Sequence, residues 1–135
     1  MILCDTGVLV AAINKGDIDH AECAALLRSL REAPITTWPC MTEAMYLLES
    51  QAGAWTQVVL RDYISRDAIV LLTPSQTEAK RACALMTEYA DAPMDFADAS
   101  LVVAAEVLGI NRILTIDNHF YAYRINGKIA FEVIR

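Results

Sequence analysis

A chain of 135 residues with a formal charge of −6 and 56% hydrophobic residues fits one domain, residues 1–135, and is too short for two ordinary ones. Its acidic balance opposes polyanion binding, because nucleic-acid affinity is largely phosphate neutralisation by Lys and Arg; a nucleic-acid partner here requires a local basic patch or a divalent cation. No apolar run approaches the ~20 residues of a membrane span, and Met1-Ile2-Leu3-Cys4-Asp5 lacks the basic start of a secretory signal, so a cytoplasmic protein with no membrane partner is expected.

Ile2-Leu3-Cys4 reads as a short buried strand ending in the polar turn Asp5-Thr6-Gly7, and Val8 to Ile13 as a short helix closed by Asn14-Lys15-Gly16-Asp17. Asp17 or Asp19 can cap the next helix, which runs to about Arg31 with Ala21, Ala24, Ala25, Leu27 and Leu30 inward; Pro34 ends it. Ile35 to Trp38 is β-rich. Pro39 suits the first position of a helix carrying Met41, Ala44, Met45, Leu47 and Leu48, broken at Gly53.

A helix over 54–65 and a strand over 68–72 follow, then a helix capped by Ser75 in which Ala79, Ala82, Cys83, Met86 and Tyr89 recur at helical spacing. The loop Asp91-Ala92-Pro93 leads into a helix from Asp95 to near Gly109. Arg112 to Ile116 is a strand ending in Asp117, Asn118 to Tyr123 a loose turn, and Ile129 to Ile134 a last strand. This alternation, with a mean hydropathy of +0.34, predicts a three-layer α/β/α fold with a mostly parallel central sheet. Cys4, Cys23, Cys40 and Cys83 show no paired zinc or redox spacing and read as reduced, packed thiols.

The acids carry the chemistry. In an open parallel sheet the active groove lies beyond the carboxyl ends of the strands, where Asp5 and Asp117 each end one. Asp95 and Asp98 occupy the first turn of a helix whose apolar stripe runs through Leu101, Val102, Ala105 and Leu108. Asp95 suits an N-cap, whereas Asp98 falls on the buried side, where an unpaired carboxylate is expensive. Glu43 lies in an apolar helix and alone reads as a solvated face residue.

Two carboxylates ~4 Å apart repel by about 4 kcal/mol at an effective dielectric near 20. Protonation, a nearby Lys or Arg, or a bound divalent cation relieves such a cost, and no Lys or Arg lies within five residues of Asp5, Glu43 or Asp95. Oxygen ligands without His or Cys favour magnesium or manganese over zinc. Such ions clamp phosphate oxygens, activate water and stabilise a leaving oxyanion in phosphodiester hydrolysis.

Asp5-Thr6 after the first strand, Glu43 in a Thr-Glu-Ala helix after Thr37-Trp38-Pro39, Asp95-Phe96-Ala97-Asp98-Ala99 opening a helix and Thr115-Ile116-Asp117 closing a strand together resemble the PIN domain, more narrowly the VapC-type toxins of bacterial toxin–antitoxin pairs. The resemblance spans the whole chain in element order. It implies a Mg²⁺-dependent endoribonuclease, with Mn²⁺ as a possible substitute. Its ligand acids map onto Asp5, Glu43, Asp98 and Asp117, with Asp95 in support and Thr6 and Thr115 orienting carboxylates or water. It also implies an RNA substrate, homodimerisation and an antitoxin partner that obstructs the groove.

His119 departs from the pattern, since a second acid often follows the strand-end Asp. Arg112, Arg124 and Lys128 lie near Asp117 in sequence and are candidates for phosphate contact, although a solvated rim explains each singly. Trp38, Phe96 and Tyr121 are candidates for base stacking, with buried packing the simpler reading of Trp38 and Phe96. A phosphatase using Asp5 as nucleophile is disfavoured because Gly7 stands where a second Asp is required, and a P-loop is absent. The remaining alternative is a non-catalytic PIN-like module that binds RNA or protein without cutting.

Overall fold

The computed structural model describes residues 1–135. In chain order the elements are β1 (Leu3–Cys4), α1 (Thr6–Ile13), α2 (His20–Ser29), β2 (Ile35–Thr37), α3 (Trp38–Ala52), α4 (Trp55–Ser65), β3 (Val70–Leu72), α5 (Gln76–Glu88), α6 (Phe96–Leu108), β4 (Arg112–Leu114), a 3₁₀ turn (Asn118–Tyr121), β5 (Arg124–Ile125), β6 (Ile129–Ala130) and β7 (Glu132–Ile134). Five strands form one sheet in the order β3-β2-β1-β4-β7, and every pairing in it is parallel, with Leu3 opposite both Ile35 and Ile113.

Helices cover both faces, giving the expected three layers. On one face α1 to α4 enclose Ile2, Val8, Leu9, Met41, Leu48 and Leu60. On the other α5 and α6 enclose Leu85, Leu101, Val102, Ile113, Phe120 and Tyr123. Helix α6 is the most deeply set: every residue from Ala99 to Ala105 is buried, which explains its nearly unbroken apolar run. Each fully buried Leu or Val there contributes about 1.5–3 kcal/mol relative to exposure. Its ends are fixed chemically, by Asp95 at the N-cap and by Gly109, whose φ of 66° lies in the left-handed region that closes a helix.

The order of the strands decides where function can lie. From the central β1 the chain winds outward through β2 and β3, then returns to the other side of β1 as β4. That reversal opens a crevice at the carboxyl ends of β1 and β4, where Asp5 and Thr115 to Asp117 follow. No helix is long and apolar enough to cross a membrane.

Several sequence expectations need correction. Helix α1 begins at Thr6 rather than Val8, because Asp5 itself caps it by accepting from Thr6 N. Asp19 holds the N-cap position of α2 without a side-chain cap bond, while Asp17 accepts from Asp19 N at 2.9 Å. In α2 Cys23 and Ala24 are the buried residues, and Ala21 and Ala25 face solvent. Cys83 is exposed, unlike the other three thiols.

The expected last strand is two: β6 pairs antiparallel with β5, and β7 joins the main sheet beside β4. Asn126 and Gly127, at φ 52° and 69°, make the turn of the β5–β6 hairpin, a conformation for which Asn-Gly is the favoured pair. The hairpin is fastened to the helices through Glu106, which accepts from Asn126 N at 2.9 Å and pairs with Arg81 at 3.0 Å.

Candidate metal centre

Asp5, Thr6, Glu43, Asp95, Asp98 and Asp117 line one open pocket of about 270 Å³, and no Lys, Arg or His is among the lining residues. One carboxylate oxygen from each of Asp5, Asp98 and Asp117 lies within 4.8 Å of the others. Glu43 and Asp95 share the pocket but not this tight group. A single oxygen from each of three carboxylates at such spacing, without a neighbouring cation, is a donor set suited to a hard divalent cation.

Local chemistry holds Asp5, Asp95, Asp98 and Asp117 in place. Asp5 is buried at the end of β1, with Oδ1 accepting from Thr6 N at 2.7 Å and Oδ2 from the Thr115 hydroxyl at 2.9 Å. Thr115 Oγ1 also accepts from Asp117 N at 3.0 Å, so one hydroxyl ties the ends of β1 and β4 together. Thr6 acts on Asp5 through its backbone N–H, and its own hydroxyl donates to Cys40 O at 3.4 Å.

Asp95 and Asp98 form a reciprocal capping box: Asp98 N donates to Asp95 Oδ1 at 2.7 Å and Asp95 N to Asp98 Oδ2 at 3.1 Å. Asp98 is half-buried and Asp95 exposed. Helix-end chemistry therefore accounts for the position of Asp95, which also lines the pocket beside Glu43. It does not account for Asp98 reaching toward Asp5 and Asp117.

The acids carry the electrostatic signature of crowding. Burial above all, with the charges of Asp117 and Glu43 adding, pushes the Asp5 carboxyl up to about 6 against the bonds from Thr115 and Thr6. Asp98 is pushed up to about 7, again chiefly by burial, with Asp95, Asp5 and Asp117 adding and the Asp95 N–H opposing. Burial also raises Glu43. Three neighbouring carboxyls that resist ionisation mark a place where a divalent charge is welcome.

His119 Nδ1 lies 2.8 Å from Asp117 Oδ1, the oxygen that also accepts from His119 N at 2.9 Å. The unexpected residue at this position thus holds a rim acid. Tyr123, which sequence reasoning passed over, is fully buried; its hydroxyl donates to the Pro93 carbonyl and lies 3.5 Å from Asp98 Oδ2. Nothing in its sequence neighbourhood marks it, since it follows an irregular turn.

The proposed phosphate contacts do not gather at the pocket. Arg112 opens β4, at the opposite end of that strand from Asp117, and lies 3.9 Å from Glu132. Arg124 donates to the carbonyls of Tyr121 and Tyr123, and Lys128 is exposed in the hairpin turn. Trp38 and Phe96 are not packed inside: they are 50% and 39% exposed, and Trp38 Nε1 donates to Thr73 Oγ1 at 2.7 Å.

Fold and pocket together define a doubly wound α/β protein with a carboxylate cluster at its switch point. The chain belongs to the PIN domain family, whose sequence profile matches residues 2–126. It is 28% identical over 134 residues to Ribonuclease VapC26 of Mycobacterium tuberculosis, covering 98% of this chain and 99% of that one. Its fold is similar to the crystal structure of M. tuberculosis VapC20, described as a sarcin–ricin loop cleaving toxin, at a TM-score of 0.84 and 20% identity over 90% of this chain and 94% of that one. It is also similar to a chain of a toxin–antitoxin complex from Klebsiella pneumoniae, at a TM-score of 0.66 and 19% identity over 100% and 97% of the two chains. A third similar chain comes from VapBC2 of Rickettsia felis bound to a promoter DNA fragment, at a TM-score of 0.67 and 19% identity over the full length of both.

Proposed function

We propose that this chain is a metal-dependent endoribonuclease acting in the cytoplasm as the toxin of a toxin–antitoxin pair, with Mg²⁺ as its cofactor and Mn²⁺ as a substitute. The observation that carries the reading is the meeting of Asp5, Asp98 and Asp117 oxygens within 4.8 Å in a pocket lined by no cation. Family membership and the likeness to Ribonuclease VapC26 support RNA as the substrate.

In this reading Asp5, Asp98 and Asp117 hold the ion, and Glu43 and Asp95 lie at the outer edge of the site, within reach of water. When bound, the ion neutralises phosphate charge, activates water and stabilises the leaving oxygen. The chain's own residues supply the geometry. Thr115 fixes Asp5 and the Asp117 backbone together, the capping box fixes Asp98 on a rigid helix end, and His119 holds Asp117. Placement by packed elements rather than mobile loops is what a metal site of defined geometry requires.

The partners implied by this reading are a second copy of the chain and an antitoxin. Two apolar faces support them. Phe96 and Val107 are exposed on a cleft between α5 and α6, with Trp38 exposed beside its Thr73 wall, and Tyr46, Trp55 and Val58 are exposed on α3 and α4. Large apolar side chains left exposed beside a cleft are a feature of protein interaction sites.

The direct test replaces Asp5 or Asp98 with Asn and follows cleavage of RNA in Mg²⁺ and in EDTA. The reading expects cleavage by the intact chain in Mg²⁺ and none in EDTA or by either variant. Folded variants that cut like the intact chain would remove it. An intact chain that binds RNA and never cuts it would leave a binding module in its place.

A further inference from the structure

The acidic pocket leaves a physical question open: a chain of net charge −6 that acts on RNA has no cation at its reactive site. Its concentrated positive charge lies elsewhere. A groove of about 420 Å³ is lined by Lys15, His20, Arg28, Tyr63 and Arg66 over an apolar floor, with no carboxylate among the lining residues. Lys15 and Arg28 take part in none of the chain's ion pairs. Arg66 pairs at 2.9 Å with Asp62, outside the groove lining, and its guanidinium lies 5.1 Å from the Tyr63 ring centroid.

Each cation stands at or just beyond the carboxyl end of a helix, α1, α2 or α4, where the helix dipole favours it. That explains each one singly. It does not explain why three such ends meet around one groove without an acid. The adjoining hollow makes the contrast, since Arg31 there is accompanied by Glu32 and Asp67.

The groove also has a defined relation to the pocket. Pro34 and Ala68 in its wall precede β2 and β3, so it lies at the amino end of the sheet, opposite the acids. Helix α1 joins the two: Asp5 caps one end beside Thr6 and Gly7, and Ala12 reaches the groove. The eight-residue helix between them is ~12 Å long. A trinucleotide held in the pocket is largely used there, whereas a folded RNA has phosphates to spare at that distance.

We propose that the groove formed by Lys15, Arg28, Arg66 and Tyr63 is a second RNA-binding site, which holds phosphates of a folded RNA whose scissile strand lies in the acidic pocket. The inference rests on the ribonuclease reading. It assigns affinity for large substrates to a pole of the molecule that performs no chemistry, so the groove governs KM for folded RNA and leaves kcat to the acids.

The test measures binding of a hairpin RNA of about 30 nucleotides, in EDTA and across a salt series, to the intact chain, to Lys15→Glu/Arg28→Glu and to Arg61→Glu/Lys80→Glu, a variant of equal net charge altered away from the groove lining. The groove variant is expected to bind about tenfold more weakly and to lower the slope of log K against log salt by between about 1.4 and 1.8, for two lost phosphate contacts. The matched variant is expected to bind nearly as the intact chain, and all three to cleave a trinucleotide alike in Mg²⁺. Equal weakening by both variants, or by neither, overturns the inference. So does a groove variant that keeps its RNA affinity and loses binding to a polyglutamate peptide, which would assign the groove to an acidic protein partner. Hairpin cleavage by Asp98→Asn at the intact rate would instead remove the ribonuclease reading itself.

Discussion

The acidic pocket and the basic groove stand at opposite ends of α1 and are built by opposite means. The pocket gathers five carboxylates and no cation, and strand ends, a shared threonine hydroxyl and a capping box hold all but Glu43. The groove gathers three cations and no carboxylate in its lining, on long exposed side chains of which only Arg66 is held, by Asp62 and the Tyr63 ring. The difference separates two tasks. A site that positions an ion needs rigid oxygen atoms, and burying them, with their crowding added, raises their proton affinity. A site that holds a polyanion needs only mobile positive charge, whose strength follows salt rather than exact geometry.

The largest effect should come from removing a pocket acid. Asp98→Asn keeps the size and much of the capping geometry of the side chain, and is expected to lower RNA cleavage by about a hundredfold or more, since ligand loss exceeds the 10–100-fold typical of supporting contacts. Initial rates at saturating Mg²⁺ measure it. Thr115→Val comes next. Its hydroxyl is buried and serves both Asp5 and Asp117 N, so its loss should weaken Mn²⁺ affinity about 10–100-fold and lower stability by about 1–3 kcal/mol. Calorimetry and thermal melting read the two separately.

Acidity offers a third contrast. In the metal-free chain Asp5 binds a proton more tightly folded, at about 6, than unfolded, at 3.8. Its contribution to stability is therefore complete below the unfolded value and is lost as pH rises through about 6. For Asp5 the loss is about 3 kcal/mol, and Asp98 acts in the same direction. The melting temperature of the metal-free chain should fall between pH 4 and pH 7.5, and Mg²⁺ should restore it most at the upper end. A melting temperature unchanged over that range, with or without Mg²⁺, would break the comparison at its acidic pole.

The smallest expected effect lies at the basic pole. Asp62→Asn removes the exposed partner of Arg66, which should alter stability by less than about 1 kcal/mol. Freed of its carboxylate, Arg66 should tighten folded-RNA binding by about two- to threefold at low salt, an effect that fades as salt rises. Anisotropy titrations at two salt concentrations are sufficient to see it.

Legibility in the sequence followed the same division. Ser75, and Asp95 with Gly109, mark helix ends by local chemistry that survives without tertiary context. Asp5 and Asp117 could be placed because acids that close strands of a parallel sheet project into one crevice. The capping duty of Asp5 was hidden because β1 is only two residues long, and the β5–β6 hairpin was missed although Asn126-Gly127 signals it. Trp38 and Phe96 were misread because an apolar residue facing a cleft looks in sequence like one facing the core. The basic groove had no local signature at all: Lys15, His20, Arg28 and Arg66 come from separate segments and meet only through packing.

The most direct test of the central claim is a calorimetric titration of the metal-free chain with Mn²⁺ near pH 7.5, repeated with Asp98→Asn. If Asp5, Asp98 and Asp117 form a divalent-cation site, the intact chain gives saturable binding and the variant loses it. No saturable heat from the folded intact chain, or equal binding by the variant, would contradict the account.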